Sequence, residues 1–147
     1  MRLTTFSDYS LRVLMYLATA PDRRATIAEI ATSFDISENH LVKVVHLLGR
    51  EGILLNTRGR GGGLALARPA KEINVGAIVR LAEGRALPAE CFGDDNHCTI
   101  APVCRLAGVL DEAVKAFHAV LDRYTLADLV QNRGRIASVL RIQVHPA

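Results

Sequence analysis

Residues 26–50 read Thr26-Ile27-Ala28-Glu29-Ile30-Ala31-Thr32-Ser33-Phe34-Asp35-Ile36-Ser37-Glu38-Asn39-His40-Leu41-Val42-Lys43-Val44-Val45-His46-Leu47-Leu48-Gly49-Arg50, and their reading decides the fold. Thr26 and Glu29 form a capping box: the hydroxyl accepts from a free N–H and the carboxylate reaches back. The helix so opened runs through Ile30 and Ala31 and stops near Phe34-Asp35. Ser37 is a good N-cap for the next helix, and Glu38 suits its dipole. At about 100° per residue, Leu41, Val44, Val45 and Leu48 fall on one side and face a core. Asn39, Lys43, His46 and Arg50 fall within about 60° of one another on the opposite side. Two short helices joined by a tight turn, the second carrying a polar stripe, form the helix-turn-helix pattern.

The flanks complete a domain over residues 1–70. A first helix spans about Ser7–Thr19, with Leu11, Val13, Leu14, Tyr16 and Leu17 apolar, and ends before Pro21. After the second pattern helix come two short apolar strands, Gly52–Arg58 and Gly63–Arg68, joined by Arg58-Gly59-Arg60-Gly61-Gly62-Gly63. That is a hairpin with a basic, flexible tip, placed where a wing follows a recognition helix. Charge agrees: residues 1–72 hold ten Lys/Arg against seven Asp/Glu, whereas residues 73–147 hold eight of each. The excess positive charge lies in the N-terminal half and calls for an anionic partner there. Asn39 can pair with adenine, Arg50 or Lys43 with guanine or phosphate, and His46 with either, with His40 beside them. Arg58 and Arg60 suit phosphates or a minor groove. The fold class expected is mainly α with a small β wing, a winged helix-turn-helix domain plus a long dimerisation helix.

Residues 71–101 supply a linking helix, about Val75–Glu83, and a loop, Gly84–Ile100. Cys91, Cys98 and Cys104 are the only cysteines, an odd number within fourteen residues. In a chain with no charged-then-apolar leader and no long apolar run, expected to be cytoplasmic and not membrane-bound, this argues for ligation or redox chemistry over disulfides. Thiolates select zinc, copper(I) or iron–sulfur clusters, and the missing CxxC pair speaks against a zinc knuckle. Three thiolates leave one cluster iron a ligand short, which His97 nearby or an acid from elsewhere could fill. Cys91 and Cys98 lie among Asp94, Asp95, Asn96 and His97, hardly a core.

Residues 102–147 give a long helix from Pro102 to Tyr124, then a short one opened by the capping box Thr125-Leu126-Ala127-Asp128. Val103, Leu106, Leu110, Ala113, Phe117, Val120 and Tyr124 are spaced alternately three and four apart, an a/d seam over three heptads. A helix of about 34 Å is too long for one face of so small a domain, so a homodimer and a palindromic DNA operator are expected.

Other classes fit less well. Gly59-x-Gly61-x-Gly63 looks like a phosphate loop, but apolar alternation follows it where a dinucleotide site needs a helix. A small iron–sulfur electron carrier would want four cysteines and no basic wing. No Ser/His/Asp or Cys/His set points to an enzyme.

The stretches Met1-Arg2-Leu3-Thr4…Asp8-Tyr9, Ser37-Glu38-Asn39-His40-Leu41-Val42-Lys43, the wing Arg58–Gly63, Cys98-Thr99-Ile100-x-Pro102-x-Cys104-Arg105-Leu106 and Tyr124-Thr125-Leu126-Ala127-Asp128-Leu129-Val130 resemble the Rrf2 family of iron–sulfur transcription regulators, over about residues 1–130. The last stretch and Asn39-His40-Leu41-Val42-Lys43 resemble its nitric-oxide-sensing repressors rather than its branches that sense iron or cluster supply. The resemblance implies a cluster, four-iron four-sulfur in preference to two-iron two-sulfur, held by Cys91, Cys98 and Cys104. It further implies a fourth ligand from an N-terminal acid of the other subunit, the place Asp8 occupies, with Arg12 able to neutralise it. Attack of nitric oxide at the oxygen-ligated corner would then relax the cysteine loop, alter the spacing of the two recognition helices and relieve repression.

Overall fold

The computed structural model describes residues 3–84, 89–93 and 96–143. Its elements are α1 (Thr5–Thr19), α2 (Ile27–Phe34), α3 (Glu38–Arg50), β1 (Leu54–Thr57), β2 (Gly63–Leu66), α4 (Val75–Glu83), α5 (Leu106–Leu121), α6 (Leu126–Leu129) and α7 (Arg133–Leu140). Short 3-10 turns lie at Ala70–Glu72, Glu90–Phe92 and Ala101–Val103. The molecule is mainly helical with a two-stranded antiparallel wing, as the sequence predicts.

Helix α1 is the central post. Val13, Leu14 and Leu17 are fully or almost fully buried and meet Ile30 of α2 and Leu41, Val44 and Leu48 of α3 in one apolar cluster. It begins at Thr5, two residues before the expected start, because Thr4 caps it by accepting from Ser7 N at 3.2 Å. The expected Thr26/Glu29 box opens α2, whose last turn is closed by Asp35 in the left-handed region at φ 53°. Ser37 has the extended backbone of an N-cap but no side-chain capping bond. The core side of α3 is the predicted set Leu41, Val44, Val45 and Leu48.

In the wing, Leu54 pairs with Leu66 and Thr57 with Gly63. Ala25 exchanges backbone hydrogen bonds with Leu64 (3.1 and 2.7 Å), so the segment before α2 braces the hairpin. The tip turns through Gly59 and Gly61 at φ 94° and 76°, and a Cβ on Gly62 would overlap the Thr57 carbonyl. Only glycine is easily accommodated there.

Beyond the wing, two expectations change. The helix predicted from Pro102 to Tyr124 is α5, Leu106–Leu121. Pro102 is the second residue of the 3-10 turn Ala101–Val103, and Cys104 follows in extended geometry (φ −79°, ψ 119°), so the chain bends before Leu106. Val103 and Tyr124 therefore flank the helix instead of belonging to it. After the expected Thr125/Asp128 capping box, the C-terminal segment forms two helices, not one. Leu126, Val130, Ala137 and Ile142 enter the same hydrophobic cluster as α1, so residues following α5 return to the core of the N-terminal half.

Candidate functional site

On α3, Asn39, Lys43, His46 and Arg50 are all solvent-exposed on the side opposite the buried Leu41, Val44, Val45 and Leu48. Arg50 Nε approaches Glu51 Oε1 at 3.2 Å, an exposed neighbour pair that holds it only weakly. His40 stands off this stripe: its ring lies 6.1 Å from that of Tyr9 on α1. Arg58 and Arg60 are exposed at the wing, whose strands are tied down next to the tip by a hydrogen bond from Arg24 to the Thr57 hydroxyl. A rigid helix face and a braced basic hairpin thus stand side by side in the chain's electropositive half.

Cys91 sits in the 3-10 turn Glu90–Phe92, Cys98 is exposed, and Cys104 follows the turn Ala101–Val103; all three are free thiols. Cys98 N donates to Asn96 Oδ1 at 2.9 Å. Among the described residues, no three His, Cys, Asp or Glu side chains stand together as a metal site. Asp94 and Asp95 lie outside the described residues. The donor set nevertheless fits a thiophilic iron site by its chemistry: three free thiols lie on one short connection, Cys98 exposed and Cys91 and Cys104 half-buried, with no disulfide between them.

Asp8, in the first turn of α1, is bound by Arg12 from one turn on, with Nε to Oδ1 at 3.0 Å and Nη2 to Oδ2 at 2.8 Å. Both side chains are more than two-fifths exposed, so the Asp8 carboxylate is reachable from outside the chain. Arg12 also covers the Phe34 ring at 5.7 Å.

Two clusters that the sequence reading missed fasten α4, which precedes the cysteine segment, to the start of α1 and to the end of α5. Glu83, the last residue of α4, accepts hydrogen bonds from Thr4 N, Thr4 Oγ1 and Ser7 Oγ. Partial burial alone would push its carboxyl up, but the bonds from Ser7 and Thr4, helped by His118, hold it below the usual carboxylate range. At the other end of α4, Asn74 caps Ala77 N and donates to the carbonyls of Asp122 and Tyr124 at 2.7 and 3.3 Å. Val75 N and Leu126 N add backbone bonds to Tyr124 O and Ile73 O. Arg80 grips Asp122 with both terminal nitrogens (3.1 and 2.6 Å). Asn directly before the apolar helix was a legible capping signal, whereas nothing local marks Glu83.

Among the described residues, none of those in α5 is buried, although the helix is strongly amphipathic. Leu110 and Phe117 of the expected seam are half-buried, as are Ala107, Val114 and Leu121 on the same side of the helix, and α5 packs against α4. The exposed apolar stripe is Leu106, Val109, Ala113, Ala116 and Val120. No helix among the described residues is long and apolar enough to cross a membrane.

A helix-turn-helix with a braced basic wing, an open amphipathic helix and a three-cysteine connection define a winged-helix transcription regulator. The chain belongs to the Rrf2 family, iron-dependent transcriptional regulators, which it matches over residues 3–132. It is 44% identical over 145 residues to the HTH-type transcriptional regulator NsrR of Halalkalibacterium halodurans, covering 97% of this chain and 99% of that protein. To NsrR of Bacillus subtilis it is 46% identical, with the same coverage. Among solved structures, it resembles IscR of T. potens (TM-score 0.71, 26% identity, 90% of this chain and 88% of that one). It also resembles CymR, the global cysteine regulator of B. subtilis (0.68, 28%, 90% and 98%).

Proposed function

We propose that this protein is a homodimeric repressor that binds a palindromic double-stranded DNA operator and releases it when an iron–sulfur cluster reacts with nitric oxide. Cys91, Cys98 and Cys104 would hold the cluster, four-iron four-sulfur in preference to two-iron two-sulfur, with the partner subunit's Asp8 as the fourth ligand. When bound, the cluster supplies an iron with an oxygen ligand, open to a small neutral ligand such as nitric oxide. Arg12 holds the Asp8 carboxylate oriented through its two contacts until it is used. Asn39, Lys43, His46 and Arg50 would enter a major groove, with His40 at the edge of that face, while Arg58 and Arg60 follow the backbone beside it. The exposed stripe of α5 would pair with its counterpart, which sets the spacing between two such faces.

The observation that carries the sensing role is the clasp of Glu83 on Thr4 and Ser7. The segment bearing Cys91 departs from the end of α4, and Glu83 fastens that end to the first turn of α1, which holds Asp8. A change in the cysteine segment therefore has a polar connection to the post on which α3 packs. The family's iron dependence favours a second reading, in which cluster supply is the signal. Anaerobic protein on a fluorescent operator duplex separates the two. Release by stoichiometric nitric oxide with iron still bound supports the first; release only on iron removal supports the second.

A further inference from the structure

Val42 is 51% exposed in the middle of α3. Singly exposed valines are common and carry no message by themselves. This one has a particular place. It lies three residues after Asn39 and four before His46, so on the helix surface it sits in the ridge between them. Asn39 and His46 are both exposed, and Lys43 lies alongside. An isopropyl group thus stands beside polar side chains suited to base edges, while its apolar neighbour one turn on, Val45, is buried in the core.

Within the major groove, the C5-methyl of thymine is the apolar feature of the base edges, and it distinguishes T·A from the other pairs where hydrogen bonding alone leaves ambiguity. A β-branched side chain in a helix is nearly fixed in χ1, so Val42 presents its methyls without further ordering. A second copy of the chain does not account for the exposure: the stripe that would pair copies is on α5, whereas Val42 shares the most basic part of the chain.

We propose that Val42 packs on a thymine C5-methyl in each half-site and so sets operator specificity at that base pair. This rests on α3 being the recognition helix. Removing one methyl contact corresponds to about 0.8 kcal/mol, or about a fourfold loss of affinity per half-site and roughly fifteenfold when both are changed.

The test uses the full-length homodimer and a duplex selected from a randomised library. Each thymine of the selected sequence is replaced in turn by deoxyuridine, which deletes only the 5-methyl group. One symmetric pair of positions should show the loss with the wild-type protein. Val42→Ala, at an exposed helical site that tolerates it, should bind the thymine and deoxyuridine duplexes with a ratio near one. If the wild type ignores deoxyuridine everywhere, or if the penalty persists in Val42→Ala, the assignment is wrong. A library that yields no shared sequence overturns the recognition-helix reading itself, and this assignment with it.

Discussion

Glu83 at the end of α4 accepts hydrogen bonds from both the backbone N–H (2.8 Å) and the hydroxyl (3.0 Å) of Thr4, the N-cap of α1. One carboxylate thereby takes up a donor at the start of the central helix and fixes the point where the cysteine segment leaves the body. Its ionised form is the one the fold selects.

That selection has a sign. Glu83 binds its proton less readily in the folded chain than at its ordinary value of 4.5, so the unfolded state holds more protons as the pH drops through that range. The clasp's contribution is complete above pH 4.5 and is lost as pH falls through the lower folded value. Glu83→Gln should cost about 1 kcal/mol at neutral pH, and its urea midpoint should approach that of the wild type on acidification. Midpoints that fall in parallel from pH 6 to 3 would show that the carboxylate charge contributes nothing.

Gly76 should resist the substitution that normally strengthens a helix. A Cβ there would overlap Asp122 Oδ1 and come within 3.0 Å of the Asp122 backbone nitrogen. Gly76→Ala must therefore open the Arg80–Asp122 pair or push the end of α5 away, at an expected cost of about 1–3 kcal/mol. Combined with Asp122→Ala, the change should cost less than the sum of the two, as measured by chemical denaturation. Additive costs would mean that the side chain is not the obstacle.

The two sides of α5 predict different failures. Val109→Asp places a charge on the exposed stripe, so the monomer should fold while dimerisation weakens by several kcal/mol. Phe117→Asp strikes a half-buried ring stacked edge-on against His118 and should lower folding stability as well. Sedimentation velocity and thermal melts on both variants distinguish them. A dimeric Val109→Asp protein would place the interface elsewhere.

Arg58→Ala and Arg60→Ala should each lower the salt slope of binding by roughly one and weaken all duplexes alike. Asn39→Ala should cost about 1–3 kcal/mol on the selected operator and little on random DNA. Equal losses on both duplexes would remove Asn39 from base readout.

The elements most plainly legible in the sequence were those whose signals are local. Leu41, Val44, Val45 and Leu48 are buried because a 3.6-residue period leaves them no other side, and both capping boxes form because their partners lie three residues apart. Helix α5 was harder. Its apolar arc is wide enough for two contacts, and periodicity does not say which half faces the chain itself: Leu110 and Phe117 are half-buried, whereas Leu106 and Val120 are exposed. The bend at Cys104 depends on the 3-10 turn at Pro102, a residue equally at home in the first turn of an α-helix. The Glu83 clasp joins residues 79 apart in sequence, beyond the reach of any local pattern.

The last prediction separates cross-subunit ligation from ligation within one chain. Asp8 is paired with Arg12 yet open to its surroundings, so a cysteine segment from either chain is a conceivable claimant. Replacing any of Cys91, Cys98 or Cys104 with Ala should abolish bound iron in anaerobically purified protein, whereas Asp8→Ala should retain it with an altered absorption spectrum. Asp8→Cys substitutes a soft ligand for a hard one and should slow the reaction with nitric oxide. A mixed dimer then decides the origin of the carboxylate. One chain carries Asp8→Ala and the other Cys104→Ala, so only the Asp8→Ala chain retains three thiolates. If the partner subunit's Asp8 completes the site, that chain's spectrum should match the wild type, because its partner still has the acid. A spectrum matching the Asp8→Ala homodimer would put ligand and thiolates on the same chain. Each cluster would then signal through its own Glu83 clasp, without the opposite DNA-binding domain taking part.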